Sequence, residues 1–454
     1  MLWYNRSIGF FTEVKAYMDT INDQLLDFIA RSPTAFHAAE TICTMLDAAG
    51  FQALREKDVW AIRPGGRYYT VRNGSSVIAF RVGEEQGELC FRIAAAHGDS
   101  PMFKIKSSPV LSGLEGYVRL NVEAYGGMID STWLDRPLGI AGRVFVKTEQ
   151  GARARLFASE SDVVLIPNLA FHFNREVNSG YAFNRQVDLC PLFSAGACGA
   201  AGFDAFLADG LGVAPEDILS RDLFVVNRQR GLVWGAAEEF LSAPRLDDLQ
   251  CAFAALKGFL AARPARGISV YCCFDNEEVG SRTRQGALST FLKDSLTRLS
   301  AVLGCSMEEY QRAVASSFLL SADNAHAVHP NHPEKTDAEN RCFLNQGIVL
   351  KENASQKYTT DALSRAIVKE ICSRAGENVQ LFANRSDLAG GSTLGNLSNA
   401  QVSLHAADVG LPQLAMHSCF ETAGARDTAS AVNVFTEYYS CDLQIDEAEG
   451  FTIR

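Results

Sequence analysis

Short apolar runs, each closed by a small polar cluster, recur along this chain. Phe91-Arg92-Ile93-Ala94-Ala95-Ala96 gives way to His97-Gly98-Asp99, and Ile268-Ser269-Val270-Tyr271-Cys272-Cys273-Phe274 to Asp275-Asn276-Glu277-Glu278. Phe318-Leu319-Leu320-Ser321-Ala322 leads to Asp323-Asn324-Ala325-His326, and Pro412-Gln413-Leu414-Ala415-Met416 to His417-Ser418. Runs of this length and composition read as buried strands. In open α/β sheets, functional groups gather at the carboxyl ends of strands. The pattern therefore predicts that four polar clusters converge on one place.

The remaining periodicity fills in the architecture. Residues 11–51 read as helices, broken at Ser32-Pro33-Thr34 and stopped at Gly50. Strand-like runs follow at 68–71, 76–80 and 89–96. Near Ser107 the texture changes. Short alternating segments at 116–123, 141–148 and 162–167, punctuated by glycine, predict a β-rich module that ends near Leu241-Ser242-Ala243-Pro244. Beyond it the chain alternates: helix over 249–262, strand over 268–274, helix over 288–302, strand over 316–321, helix over 359–375. Strands over 379–383 and 412–416 and a closing helix over 428–439 complete an α/β sandwich. The divisions are 1–106 and 245–454 for one interrupted domain and 107–244 for the insertion.

Composition narrows the function. A net charge of -11 and a pI near 5.3 argue against a nucleic-acid surface, which needs a basic stripe. The 12 cysteines form no C-x-x-C pair and read as reduced core thiols. The N-terminal stretch mixes Arg6, Glu13, Lys15 and Asp19 with apolar residues, unlike a signal peptide. No run of about 18 apolar residues predicts a membrane span. The expectation is a cytoplasmic protein with neither nucleic-acid nor membrane partners.

Each polar cluster alone has a dull explanation. Asp247 or Asp248 at the start of an alanine-rich helix is most often a cap. A strand-end histidine usually has a structural hydrogen bond, and Glu-Glu on a loop is usually solvated. Jointly they differ: His97, Asp247, Glu278, Asp323 and His417 are nitrogen and oxygen donors suited to zinc, cobalt or manganese. A carboxylate can bridge two metals about 3.5–4 Å apart, which polarise a water. Adjacent side chains on an extended segment point opposite ways. One carboxylate of Glu277-Glu278 could then bind metal while the other moves the water's proton. Asp99, two residues from His97, could orient the imidazole.

The residues at these points are similar to those of a known family. Ala95-Ala96-His97-Gly98-Asp99-Ser100-Pro101, Pro244-Arg245-Leu246-Asp247, Asp275-Asn276-Glu277-Glu278-Val279-Gly280-Ser281 and Ser321-Ala322-Asp323-Asn324-Ala325-His326-Ala327-Val328-His329-Pro330 resemble the signatures of the aspartyl aminopeptidase (M18) family, dinuclear zinc exopeptidases. Asn384-Arg385-Ser386-Asp387 and the His417 segment match as well. The resemblance implies a central mixed sheet flanked by helices, with an inserted β-rich dimerisation domain. It implies that Asp247 bridges two divalent ions, with His97 and Asp323 on one and Glu278 and His417 on the other. Zinc is the expected metal, with cobalt or manganese as alternatives. Glu277 would be the general base, with Asp99 beside it. His172 would reach a neighbouring subunit's site in a homododecamer, and His326, Lys351 and Tyr358 would contact substrate. Gly98, Pro137 and the stretch Cys419-Phe420-Glu421-Thr422 depart from the family's usual pattern.

The implied substrates are peptides with a free N-terminus, and Lys351 is the cation that would select N-terminal Asp or Glu. Two other readings remain: a dinuclear amidohydrolase acting on N-acyl amino acids, which needs the same metals, and a non-enzymatic scaffold or cargo protein, which would be expected to have lost the ligands. His37 and His405 read as structural or exposed, and His329 and His332 receive no role.

Overall fold

The computed structural model describes residues 2–84, 89–111, 115–199, 201–263, 266–446 and 450–454, with side chains from Lys15 onward. A nine-stranded mixed sheet lies at its centre, in the order Gln52–Leu54, Arg67–Arg72, Ser76–Val82, Ile268–Phe274, Phe91–His97, Phe318–Ala322, His405–Gly410, Ile348–Glu352, Val379–Ala383. The four strands from Ile268–Phe274 to His405–Gly410 are mutually parallel. Register places Phe274 beside His97 and Ala322 beside Val409, so the strand ends are level.

Helices on both faces explain why Phe91–His97, Ile268–Phe274 and Phe318–Ala322 are buried along their whole length. Alternate residues serve opposite cores. Ala94, Ala96, Tyr271 and Cys273 face the helices Ala35–Ala48, Leu246–Ala261, Ala362–Arg374 and Asp427–Ser440. Ile93, Ala95, Val270 and Cys272 face Phe291–Val302, Met307–Ala315 and Leu394–Asn399. Leu246–Ala261 crosses Asp427–Ser440 closely because Gly258 has no side chain; a Cβ there would lie 2.4 Å from Cβ of Phe435.

A seven-stranded sheet is built from segments between Met102–Leu111 and Ile218–Val226. It closes into a barrel because Ile218–Val226 pairs with both Met102–Leu111 and Pro137–Thr148. Phe103, Leu120, Ile140, Val144, Phe203 and Leu223 fill its own core. The barrel leaves the main sheet five residues after His97, and its return ends on Phe240–Ala243, just before Asp247. That returning strand joins a five-stranded sheet with Leu232–Trp234, Glu421–Gly424, Pro412–Leu414 and Ala325–His326.

Two expectations need correction. The run at 412–416 does not enter the main sheet; Pro412–Leu414 belongs to the five-stranded one. The main-sheet strand is His405–Gly410, whose apolar pattern is interrupted by Asp408, buried and bonded to Thr359 N and Oγ1 at 2.5 and 2.7 Å. Ile348–Glu352 was likewise hidden by Lys351, a buried charge in a strand. The helix Asp427–Ser440 does not close the chain, since the hairpin Leu443–Asp446 with Gly450–Ile453 follows it. All 12 cysteines are free. Among the described residues no helix is long and apolar enough to cross a membrane.

His37 proves structural. It is buried in the helix Ala35–Ala48, with Nδ1 2.8 Å from Thr34 Oγ1. Burial, helped by the Arg245 charge, lowers its pKa from 6.5 to about 4. A folded-state value below the unfolded one means that the unfolded chain binds the extra proton between those limits. The stabilisation is therefore complete above pH 6.5 and lost as pH falls toward 4. Between pH 7.5 and pH 5, the wild type should lose about 2 kcal/mol more stability than His37→Asn. Urea unfolding at the two pH values measures this, and equal losses would overturn it.

Candidate metal centre

His97 ends its strand fully buried. Its Nδ1 lies 3.1 Å from the backbone oxygen of Asp99 and 3.5 Å from Asp99 Oδ1. A proton on Nδ1 satisfies those acceptors and leaves the Nε2 lone pair free. Nε2 faces Asp247 Oδ1 at 3.5 Å.

Asp247 sits where the first turn of Leu246–Ala261 departs from helical geometry, after Arg245 in the left-handed region at φ 58°. The buried Arg245 guanidinium anchors this corner by donating to the carbonyls of Ser32, Ile29 and Asn227 at 3.0–3.2 Å. Glu421 holds it from the other side, accepting the Asp247 N–H at 3.0 Å and the His417 N–H at 2.6 Å. Asp247 Oδ2 lies 3.4 Å from His417 Nε2, which is also 3.4 Å from Glu278 Oε2. The Asp247 carboxylate thus turns one oxygen to each histidine. Asp248 does different work: its two oxygens accept the N–H groups of His97 and Asn324, each at 3.2 Å.

Glu277 and Glu278 are not on extended backbone. Glu277–Val279 is a 3-10 turn entered through Asn276 at φ 65°, ψ 25°. Alternation of an extended segment therefore does not separate their roles. The turn forms because the Asp99 carboxylate accepts both N–H groups, from Glu277 at 3.1 Å and Glu278 at 3.2 Å. Asp99 also accepts the Tyr125 hydroxyl at 2.7 Å.

Negative charge dominates the electrostatics. Burial, with Asp323, Asp99 and Asp247 nearby, lifts the Glu277 pKa to about 8 despite the opposing effect of His97. Burial first, then Asp247, raises Glu278, and burial raises Asp323 against the pull of Lys351. Burial disfavours the charged form of His97, yet Asp247 and Asp99 outweigh it and raise its pKa; His417 is raised against burial by Asp247 in the same way. Such crowding is relieved by positive charge among the groups. Two oxygens, Asp247 Oδ1 and Glu278 Oε1, are buried with no hydrogen-bond partner. Single donor atoms of His97, Asp247 and Glu278 lie within 4.8 Å of one another, as do those of Asp247, Asp248 and Asp323. Unpartnered carboxylate oxygens beside free imidazole nitrogens fit zinc.

The structure thus brings His97, Asp99, Asp247, Glu277, Glu278, Asp323 and His417 together. Lys351 is 3% exposed, with Nζ donating to Asn324 O at 2.9 Å and lying 3.6 Å from Asp323 Oδ1. Buried Tyr358 offers its ring 5.5 Å from that ammonium. His326 is exposed at the rim of a cleft of about 470 Å³, beside Phe382. His172 is not part of the cluster: it lies on an exposed turn, edge-on to Phe171. Sequence reasoning missed Glu421, Asp248 and Tyr125. Glu421 and Asp248 are buried carboxylates four residues after His417 and one after Asp247, a proximity that was available as a signal; nothing in the local pattern marks Tyr125.

Comparison with known proteins gives a consistent result. Residues 28–439 match the family described as aminopeptidase I zinc metalloprotease (M18). A probable M18 family aminopeptidase 2 of Clostridium novyi is 43% identical over 92% of this chain and 98% of its own length. One from Stutzerimonas stutzeri is 39% identical over 93% and 98%. Among solved structures, the Ape4 and Nbr1 complex matches with a TM-score of 0.90 and 33% identity over 93% of this chain and 86% of that one. The S. cerevisiae mApe1 dodecamer matches at 0.82 and 29% over 93% and 97%. The chain therefore belongs to the M18 family of aminopeptidases, zinc-dependent hydrolases of peptide bonds.

Proposed function

We propose that this aminopeptidase works through two divalent ions and prefers peptides that begin with Asp or Glu. The observation that carries the two-ion reading is the Asp247 carboxylate, with Oδ1 3.5 Å from His97 Nε2 and Oδ2 3.4 Å from His417 Nε2. His97, Asp323 and one Asp247 oxygen would hold one ion; Glu278, His417 and the other oxygen would hold its neighbour. When bound, the ions supply Lewis acidity toward the scissile carbonyl and make a water easier to deprotonate. The Glu277 carboxylate accepts the proton of the attacking water and delivers it to the departing amine. Asp99 holds the backbone of Glu277 while orienting His97 through Nδ1.

Acidic preference rests on Lys351. Burial works against its charge, but Asp323, Tyr358 and Asp408 hold its pKa above the ordinary lysine value, so it stays cationic. An ammonium has three N–H donors. Asn324 O accepts one, Asp323 Oδ1 faces the ammonium as an ion pair at 3.6 Å, and donor capacity is left for a substrate carboxylate. Tyr358 lies against the ammonium, and the Phe382 ring adjoins both Tyr358 and His326. His172 contributes to the site of another copy in this reading, and the assembly is a homododecamer. Exposed Leu169, Phe171 and Phe173 around His172 are suited to burial against a second chain, and the mApe1 relative is described as a dodecamer.

Two outcomes test the reading. Glu277→Gln should retain two equivalents of zinc per chain while kcat falls at least about a hundredfold. Elemental analysis and peptide kinetics on one preparation measure both; one equivalent in the wild type, or unimpaired kcat in the variant, would reject the corresponding part. Lys351→Ala should lower the preference for Asp- over Leu-p-nitroanilide by roughly tenfold or more, the worth of a charged hydrogen bond. The leucine substrate reports any general disturbance of Asp323, and an unchanged ratio would remove Lys351 from selectivity.

A further inference from the structure

We propose that Tyr125, a residue of the barrel, is a positioning residue for the catalytic carboxylates of the main-sheet domain. It ends the barrel strand Val118–Tyr125 and touches no proposed ligand or base directly through its hydroxyl. It acts through two intermediaries. The hydroxyl donates to Asp99 Oδ2 at 2.7 Å and accepts from Asn276 Nδ2 at 2.8 Å. Those two residues define the turn that carries Glu277 and Glu278. Asp99 accepts both N–H groups of the pair, and Asn276 is the left-handed residue through which the chain enters the turn.

Three hydrogen bonds fix the side chain of Asn276. Its amide oxygen accepts from Thr283 Oγ1 at 2.7 Å and Gln285 Nε2 at 2.8 Å, while its amide nitrogen goes to Tyr125. Tyr125 is itself held edge-on by Phe224 on a neighbouring part of the barrel, with centroids 5.7 Å apart and planes at 81°. The segment that follows presses on both sides of the centre. A Cβ on Gly126 would lie 3.1 Å from Glu278 Cβ, and Ile129 N–H donates to His417 O at 3.0 Å. The Asp99 carboxylate therefore accepts from three donors at once, two backbone N–H groups and Tyr125, while the backbone oxygen of Asp99 lies 3.1 Å from His97 Nδ1. The tyrosine alone among these comes from the inserted barrel. Its hydroxyl sets the tilt of that carboxylate, and with it the direction of Glu277.

The proposal rests on Glu277 being the base. Its test is a kinetic cycle on the full-length protein, comparing Tyr125→Phe, Asp99→Asn and the double variant. Tyr125→Phe keeps the ring and its packing and removes only the hydroxyl. It should lower kcat by roughly tenfold to a hundredfold, the usual effect of losing an outer partner of a metal site. KM for a leucine substrate should change less than about twofold, because the peptide is not touched. In the double variant the two losses should not add, since Tyr125 acts through Asp99. Wild-type kcat in Tyr125→Phe, or losses that multiply in the double variant, would overturn the inference. Falls in kcat and zinc content together, with KM rising, would assign Tyr125 a merely structural role and overturn it too. Glu277→Gln run alongside separates the two ideas: an active Glu277→Gln removes the base assignment, whereas an inactive one beside an unimpaired Tyr125→Phe removes this inference alone.

Discussion

Concentrated negative charge in a dry place is the constraint on which this structure depends. Asp99, Asp247, Asp248, Asp323 and Glu421 are all buried, and Glu277 and Glu278 stand beside them. Burying carboxylates costs several kcal/mol apiece unless each finds donors or a cation. The fold meets that cost in two ways. Some of the groups are turned into clamps for backbone N–H: Asp99 for Glu277 and Glu278, Asp248 for His97 and Asn324, Glu421 for Asp247 and His417. The others, Asp247, Glu278 and Asp323, keep oxygens turned toward the histidines or toward Lys351. The clamping carboxylates hold the backbone that carries the candidate ligands.

This division explains why the main sheet is built as it is. Four parallel strands with level ends bring His97, Asp275 to Glu278 and Asp323 to one edge, and the loop after His405–Gly410 adds His417. Small residues such as Ala94 and Ala96 let the helix Leu246–Ala261 settle against the sheet, with Asp247 at its first turn over His97. The chemistry of the site and the packing of the core are thus decided by the same strands.

Much of this was legible in the chain. Apolar runs ending in His or a carboxylate marked three of the parallel strands, because full burial forces a continuous apolar pattern. Two of the strands that escaped carry a buried polar residue, Asp408 and Lys351, where tertiary bonding overrides local pattern; the short edge strand Gln52–Leu54 escaped as well. The candidate donors were readable as a group of residue types, and the family resemblance implied how they would divide between two ions. The turn at Glu277 was misread as extended, since the hydrogen bonds that curl it come from Asp99, far away in sequence. Tyr125 was invisible for the same reason: its partners lie 26 and 151 positions off, and no spacing rule reaches that distance.

The barrel's attachment has a mechanical consequence. Two stems join it to the main sheet: one runs from His97 to Met102, and the other is the longer stretch 227–246, which includes the hairpin of Leu232–Trp234 with Phe240–Ala243. Both stems end on residues of the centre. The barrel also meets the main body directly, through Arg143 with Asn73, Tyr125 with Asn276 and Ile129 with His417. Two of those contacts, like both stems, lie at the candidate centre, so the seating of the insertion and the geometry of that centre are held by the same bonds.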